Sequence, residues 1–175
     1  MIINNIKQKI KEYFFLNPTI RLRVRHIEKT VKVHLPSAIR YARELEKERI
    51  LKILDISGVK FYSANRASRN FLVEKKLFNI HQLYLSGFID FLAEELNNPT
   101  IIVFGSYSIG EDIESSDIDI YIETQSKKKV NLEKFEKKLQ RRIQLFIYKN
   151  INDVENKELR NNIINGIVLN GFIYI

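Results

Sequence analysis

The stretch Ile101–Glu123, which reads IIVFGSYSIGEDIESSDIDIYIE, decides the fold of the C-terminal part of this chain. An apolar run comes first, followed by Gly105-Ser106 and, after ten further residues, by Asp117-Ile118-Asp119 inside a second apolar run. Side chains two residues apart on a strand point to the same face, so the two aspartates are predicted to project together. The pattern predicts two strands, with a small turn after the first and paired carboxylates on the second.

Paired carboxylates of this kind predict a cation site. Two neighbouring negative charges repel each other unless a cation lies between them, and hard oxygen ligands suit Mg²⁺. A Gly-Ser turn at a strand end offers backbone N–H groups and a hydroxyl to a phosphate, with no Cβ to block its approach. The alternative is an ordinary hairpin or strand–helix–strand unit with acidic surface residues.

The whole spacing of Gly-Ser, ten residues and Asp-x-Asp resembles the signature of the polymerase-beta-type nucleotidyltransferases, especially their minimal prokaryotic, archaeal-like members. The resemblance implies that Asp117 and Asp119 are catalytic and coordinate Mg²⁺, and that Gly105 and Ser106 bind the triphosphate of an NTP, with ATP the expected one. It also implies a third carboxylate on the next strand, where this chain offers Gln144. A Gln supplies neither negative charge nor a base, so nucleotide and metal binding are better supported than turnover.

Three functions remain open, and we favour the first. It is a nucleotidyltransferase that transfers a nucleoside monophosphate to a hydroxyl of a protein or nucleic acid. By resemblance its partner would be a HEPN-class toxin, which minimal members modify and silence. The second is a DNA-binding transcriptional regulator whose degenerate transferase domain only binds nucleotide or dimerises. The third is an RNA-modifying enzyme.

The basic charge is concentrated at the N-terminal end. Residues 1–60 hold 14 Lys and Arg against 6 Asp and Glu, whereas residues 61–175 hold 15 of each, so the whole formal net charge of +8 lies in the first third. A basic module of this kind attracts polyanions through counterion release. The charge distribution therefore indicates two functions on one chain.

The pattern in this basic third predicts three helices and a β-hairpin. A helix ends near Asn17-Pro18, a second covers Val24–Val31, a third runs from Pro36 to about Glu48, and a strand–turn–strand spans Ile50–Tyr62. The order resembles a winged helix-turn-helix domain, which implies DNA as a partner. By that resemblance Ser37, Arg40 and Tyr41 face base edges, and the phosphate contacts are Arg43, Lys47, Lys52 and Lys60. A winged helix used for protein contacts or dimerisation is the alternative.

We therefore expect an α+β protein with a winged helix-turn-helix domain (1–64), a helical connector (65–98) and a small α/β nucleotidyltransferase domain with a mixed sheet (99–175). The aromatic residues of the connector are expected to pack between the domains or across a homodimer. In the last domain, helices are expected on one sheet face, with a final helix from near Asp153 to about Asn170 and a terminal strand over Phe172–Ile175.

Composition excludes several other classes of protein. There is no Cys, which rules out disulfides, zinc–thiolate sites and a thiol nucleophile, and the three histidines are scattered. No apolar stretch approaches the roughly 18 residues of a membrane helix. A cytoplasmic location without membrane contact is the expectation.

Overall fold

The computed structural model describes residues 6–173, and the chain divides into two compact units, Met1–Phe78 and Asn79–Ile175. Each unit has its own buried hydrophobic core. The boundary between the units falls inside one helix, Arg69–Leu85, so residues 65–98 are shared between the two. No helix within the described residues is both long enough and apolar enough to cross a membrane.

The first unit is built from three helices and a small antiparallel sheet. Its elements are α1 (Ile6–Leu16), β1 (Arg21–Leu22), α2 (Val24–Val31), α3 (Leu35–Lys47), β2 (Leu51–Ile56) and β3 (Val59–Ala64), followed by α4 (Arg69–Leu85). The strand order is β1-β3-β2, and all pairs are antiparallel. The predicted helices and hairpin are confirmed, whereas β1 was not predicted as a strand.

One face of this small sheet lies on the core and the other points away from it. Leu22, Leu51, Tyr62 and Ala64 belong to the buried core that also includes Ile10 of α1. The alternate residues of each strand therefore form the outer face of the sheet, because side chains alternate along a strand.

The end of α3 carries a strained backbone. The N–H of Ile50 donates to the carbonyl of Leu45, and the N–H of Arg49 donates to that of Glu46, which is the Schellman pattern. Arg49, with φ of 61°, occupies the left-handed position that usually holds Gly. A side chain there costs about 1 kcal/mol of folding free energy.

The second unit is a four-stranded mixed sheet with helices on both faces. It contains the end of α4, then α5 (Phe88–Glu95), β4 (Thr100–Phe104), α6 (Gly105–Ile109), β5 (Ile118–Glu123), α7 (Glu133–Leu139), β6 (Ile143–Tyr148), α8 (Lys157–Ile164) and β7 (Ile167–Asn170). The strand order is β6-β5-β4-β7, with β5 and β6 parallel and the other pairs antiparallel. The mixed sheet agrees with the expected α/β architecture.

The expectation of helices on one sheet face was wrong. Ile101, Val103 and Ile120 pack in a core with α5 and α7, while Ile102 and Tyr121 pack in a second core with residues of α8. Strands that are apolar at successive positions need cover on both faces, and β4 is such a strand.

The predicted final helix was also wrong beyond Ile164. The chain turns at Asn165-Gly166, and β7 then pairs antiparallel with β4. A Cβ on Gly166 would lie 2.6 Å from the carbonyl oxygen of Val103, so this glycine lets the returning chain approach β4 closely. The strand expected over Phe172–Ile175 is absent at Phe172 and Ile173, and its last two residues lie outside the described part.

The aromatic residues of the expected connector pack inside the separate units. Phe71 and Phe78 contact Phe15 in the core of the first unit. Phe88 and Phe91 contact Phe135 of α7 in the second unit. These four side chains therefore pack within their own units.

Candidate functional site

The pairing of β4 with β5 brings Gly105 against Asp119. Phe104, the last residue of β4, lies directly opposite Asp119 on β5, and Gly105 follows it with a φ of 67°. A Cβ on Gly105 would lie 2.5 Å from Oδ2 of Asp119. Only glycine combines this left-handed backbone with such a close approach of the carboxylate.

Asp117 and Asp119 form a pair of interacting carboxylates. Asp117 immediately precedes β5, Asp119 is its second residue, and the intervening Ile118 is fully buried in the core. Burial raises the pKa of Asp119, and the nearby negative charge of Asp117 raises it further. The two carboxylates are therefore close enough to repel each other, as expected for groups that share a cation.

The residues fit a magnesium ion held together with a substrate. Among residues 6–173, no three or more His, Asp or Glu side chains are grouped as metal ligands. Mg²⁺ is commonly held by one or two carboxylates, with waters and substrate phosphates completing its coordination. Asp117 and Asp119 provide two such carboxylates, and a bound cation would relieve the repulsion between them.

Gln144 occupies the strand position beside Asp119. Strands β5 and β6 run parallel, and Asp119 is in register with Gln144, so the two side chains share a face of the sheet. The neutral amide thus lies where a third carboxylate was expected. Glu123 does not replace it, because its Oε2 accepts hydrogen bonds from the Tyr121 hydroxyl at 2.8 Å and from the Ile151 N–H at 3.0 Å.

A Gln144→Glu variant should bind Mg²⁺ about ten-fold more tightly, because it adds a third negative charge beside Asp119 at nearly constant volume. Isothermal titration with Mg²⁺ and a non-hydrolysable ATP analogue measures the change. Gln125→Glu, an exposed position after β5, makes the same chemical change elsewhere and should leave the affinity unaltered. Equal affinities of both variants would show that Gln144 does not face the cation.

A buried polar network anchors the loop that leads to Asp117. Asp112 is 1% exposed, accepts a hydrogen bond from Asn79 Nδ2 at 2.7 Å and lies 3.8 Å from Arg141 Nη2. Asn79 also donates to the carbonyl of Tyr107 at 2.9 Å. This carboxylate is therefore engaged in the interior of the second unit. Sequence reasoning missed Asn79 and Arg141, since nothing in the local pattern links them to Asp112.

An open cavity of about 370 Å³ lies beside Asp117. Its walls come from the loop before β5 and from the segment between α7 and β6, and its basic lining residues are Lys137, Arg141 and Arg142. Sequence reasoning missed this cavity, because its two walls are separated by about twenty residues of chain. The lining also includes the carboxylates of Glu114, Asp117 and Glu136, so the cavity carries charges of both signs.

Ser106 lies in the first turn of α6. The backbone carbonyl of Ser106 accepts a hydrogen bond from the N–H of Glu111, while the side chain makes no hydrogen bond within the described residues. The hydroxyl is half-buried next to Gly105, so it can donate to a ligand beside the aspartates.

The residues expected to read DNA differ in their exposure. Arg40, Arg43 and Lys47 are exposed on α3, whereas Ser37 and Tyr41 are half-buried. The ring of Tyr41 packs against the core. Arg40 lies over that ring at 4.4 Å and pairs with Glu44 at 3.3 Å, so this guanidinium already has partners.

Lys52 and Lys60 lie on opposite faces of the small sheet. Lys52 is in register with Ser63, on the outer face, whereas Lys60 is two residues from Tyr62, on the face that lies on the core. Only Lys60 is thus on the side of the sheet that packs against α3.

The searches of curated proteins and of solved structures returned no match. Residues 85–170 match the family model described as "Nucleotidyltransferase domain". The match covers Gly105, Ser106, Asp117, Asp119 and Gln144. Residues 85–170 of this chain are thus similar to a nucleotidyltransferase domain.

Proposed function

We propose that this protein transfers a nucleoside monophosphate from an NTP, with ATP the expected donor, to a hydroxyl of a protein or nucleic acid. The observation that carries the proposal is the contact of the Gly105 bend with the carboxylate of Asp119. The bend and the paired aspartates have the spacing that the family uses for nucleotide and cation. The match of residues 85–170 to the nucleotidyltransferase domain supports the same reaction class.

In this proposal Asp117 and Asp119 supply the carboxylate oxygens that hold Mg²⁺. The bound ion supplies positive charge for the attacking and leaving oxygens of an in-line displacement. Gly105 lets the Asp119 carboxylate approach the bend closely, and the Ser106 hydroxyl donates to a phosphate oxygen. The acceptor oxygen bonds to the α-phosphorus as pyrophosphate leaves, and the acceptor proton passes to solvent because the Gln144 amide cannot take it. Positioning and charge neutralisation thus provide most of the rate enhancement.

Incubation with ATP labelled on the α-phosphate tests the proposal directly. Candidate acceptors are a HEPN-class toxin, suggested by the resemblance to minimal members, and an RNA with a free 3′-hydroxyl. Label transfer that requires Mg²⁺ supports the enzyme. If α-labelled ATP gives no labelled acceptor and no pyrophosphate with any of them, the transferase proposal fails.

The register of Asp119 with Gln144 favours a second candidate function. It is a DNA-binding transcriptional regulator whose transferase domain only binds nucleotide. Without a third carboxylate the site lacks a base for the acceptor hydroxyl, while two carboxylates still suffice to hold Mg²⁺ with a nucleotide. Tight, Mg²⁺-dependent binding of ATP without any transfer would favour this candidate.

We propose further that the first unit binds duplex DNA through α3, as in winged helix-turn-helix domains. An Arg43→Ala, Lys47→Ala variant removes two exposed cations and should reduce the slope of log Kd against log salt by about 2. Fluorescence anisotropy with a labelled duplex at several salt concentrations measures it. Lys9→Ala, Lys29→Ala makes the same charge change on α1 and α2 and serves as control. If wild-type affinity is insensitive to salt, the unit does not hold DNA by its phosphates.

A further inference from the structure

The outer side of the first unit carries cations that lack acidic partners. A cavity of about 480 Å³ between the α3–β2 turn and the start of α4 is lined by Arg49, Lys52 and Arg69, with Glu46 as its one acidic lining residue. Across the part of the chain that the structure describes, none of these three cations forms a salt bridge. Other basic residues of the unit are neutralised, for example Lys7 by Glu48 and Lys11 by Glu74.

The basic character continues from the cavity across the small sheet. Ser63 on the central strand β3 is in register with Lys52 on one side and with Arg21 on the other, so the three share the outer face. Neighbouring strands are about 4.8 Å apart, which separates the backbones carrying the two cations by about 10 Å. Two cations so placed do not converge on one small anion, but they match successive charges of a polyanion. We call Arg21, Arg49, Lys52 and Arg69 the outer basic face.

Ser63 adds a polar group without a partner at the centre of this row. The residue is 6% exposed, and its Oγ has no hydrogen-bond partner within residues 6–173. A buried hydroxyl that makes no hydrogen bond is unfavourable, so such groups are normally satisfied. A phosphate oxygen that displaces the side chains covering Ser63 would satisfy it.

A cation–π pair next to this row, formed by Arg23 and Phe61, favours a nucleic acid over other polyanions. Arg23 lies over the ring of Phe61 at 5.3 Å, and Arg23 is exposed. A guanidinium supported by an aromatic ring is a flat, charged surface on which an unpaired base can stack. An acidic peptide would use the cations but would gain nothing from this platform.

Arg49, which lines the cavity, has an unfavourable backbone conformation. It occupies the left-handed position after α3 with φ of 61°, where Gly would be unstrained. Its side chain is exposed and has no acidic partner within the described residues, so no contact inside the unit offsets the strain. A ligand that contacts the guanidinium would offset it.

From these observations we propose that the outer basic face binds the phosphate backbone of a single-stranded nucleic acid. Arg21 and Lys52 are on the face of the sheet opposite to the core on which α3 packs, so the proposal rests on other side chains than Arg43 and Lys47 of the surface proposed for α3. It does not depend on α3 binding DNA or on nucleotidyl transfer.

The experiment measures binding of the full-length protein to labelled single-stranded DNA and RNA of about 16 nucleotides by anisotropy over a range of salt. An Arg49→Gln, Lys52→Gln, Arg69→Gln variant should weaken binding at least ten-fold at low salt and reduce the salt slope by about 2. Lys9→Gln, Lys29→Gln, Lys127→Gln removes the same charge from exposed sites and should change affinity less than three-fold. Equal losses in both variants, or none in the first, overturn the proposal.

A second variant separates binding from folding. Arg49→Gly should raise the thermal unfolding midpoint, because it removes the strain, and still weaken binding about three-fold or more. If Arg49→Gly is more stable and binds as well as wild type, the guanidinium does not contact the ligand. Polyglutamate is the last ligand to be tested. If it binds as tightly as the oligonucleotide and loses as much affinity in the Arg49→Gln, Lys52→Gln, Arg69→Gln variant, the face binds acidic peptides instead.

Discussion

Asp119→Asn should lower nucleotidyl transfer by about 10²–10³-fold while leaving the protein folded. The substitution keeps the shape of the side chain and removes the negative charge that holds the cation against the Gly105 bend. Loss of a charged group aimed at the reacting phosphates has effects of this size in other enzymes. Transfer from α-labelled ATP in the presence of Mg²⁺ measures the loss.

The same variant should be more stable than wild type at neutral pH when Mg²⁺ is absent. Burial and the negative charge of Asp117 raise the pKa of Asp119 in the folded protein. A raised folded-state pKa favours folding below the unfolded pKa, and this contribution is lost as pH rises through the folded value. The advantage of Asp119→Asn should therefore shrink in acid, where wild-type Asp119 becomes protonated.

Denaturant unfolding in EDTA at several pH values measures this difference. Asp90→Asn, at an exposed position on α5, is the matched control and should change neither transfer nor the pH dependence. An Asp119→Asn protein that is both less stable than wild type in EDTA and fully active would contradict the assigned role.

Gly105→Ala should abolish transfer and destabilise the second unit by about 2–3 kcal/mol. A left-handed backbone costs a non-glycine residue about 1–2 kcal/mol. The added methyl group would in addition lie 2.5 Å from Oδ2 of Asp119, so the carboxylate must move. The site would lose both the cation ligand and the space for a phosphate.

Gly87→Ala separates these two effects. Gly87 has φ of 77°, close to the 67° of Gly105, but a Cβ there would have no atom within 4 Å. It should share the backbone penalty and keep full transfer activity. Thermal unfolding and the transfer assay on both variants make the comparison. Equal activity of the two would indicate that the bend does not face the phosphates.

The sequence was most informative where side-chain chemistry and backbone freedom act locally. Glycine followed by serine after an apolar run, with two aspartates of the same strand parity, predicted the bend and the carboxylates that the structure brings together. The segment Arg142–Tyr148 contains no carboxylate, and Gln144 was predicted at the position of the third one. The structure places Gln144 in register with Asp119 on the parallel strand. The helices of the first unit followed from periodicity and from Pro18 and Pro36.

The features that the sequence did not predict depend on long-range packing. Ile167 and Val168 fit a helix by local pattern, but pairing with β4 decided their conformation. The half-burial of Tyr41 could not be foreseen, since helical spacing does not show which aromatic ring will pack against the core. The engagement of Asp112 with Arg141 depends on segments that are far apart in sequence.

The network of Asn79, Asp112 and Arg141 has a consequence for how the site is assembled. The segment carrying Asp117 is held by groups from α4 and from the start of β6, about forty residues before and twenty-five after it in the chain. A peptide spanning only Gly105 to Glu123 would lack both anchors, so its carboxylates would not be fixed in space. The proposed cation site therefore requires the packed second unit, and it could not be transferred to another scaffold as a short hairpin.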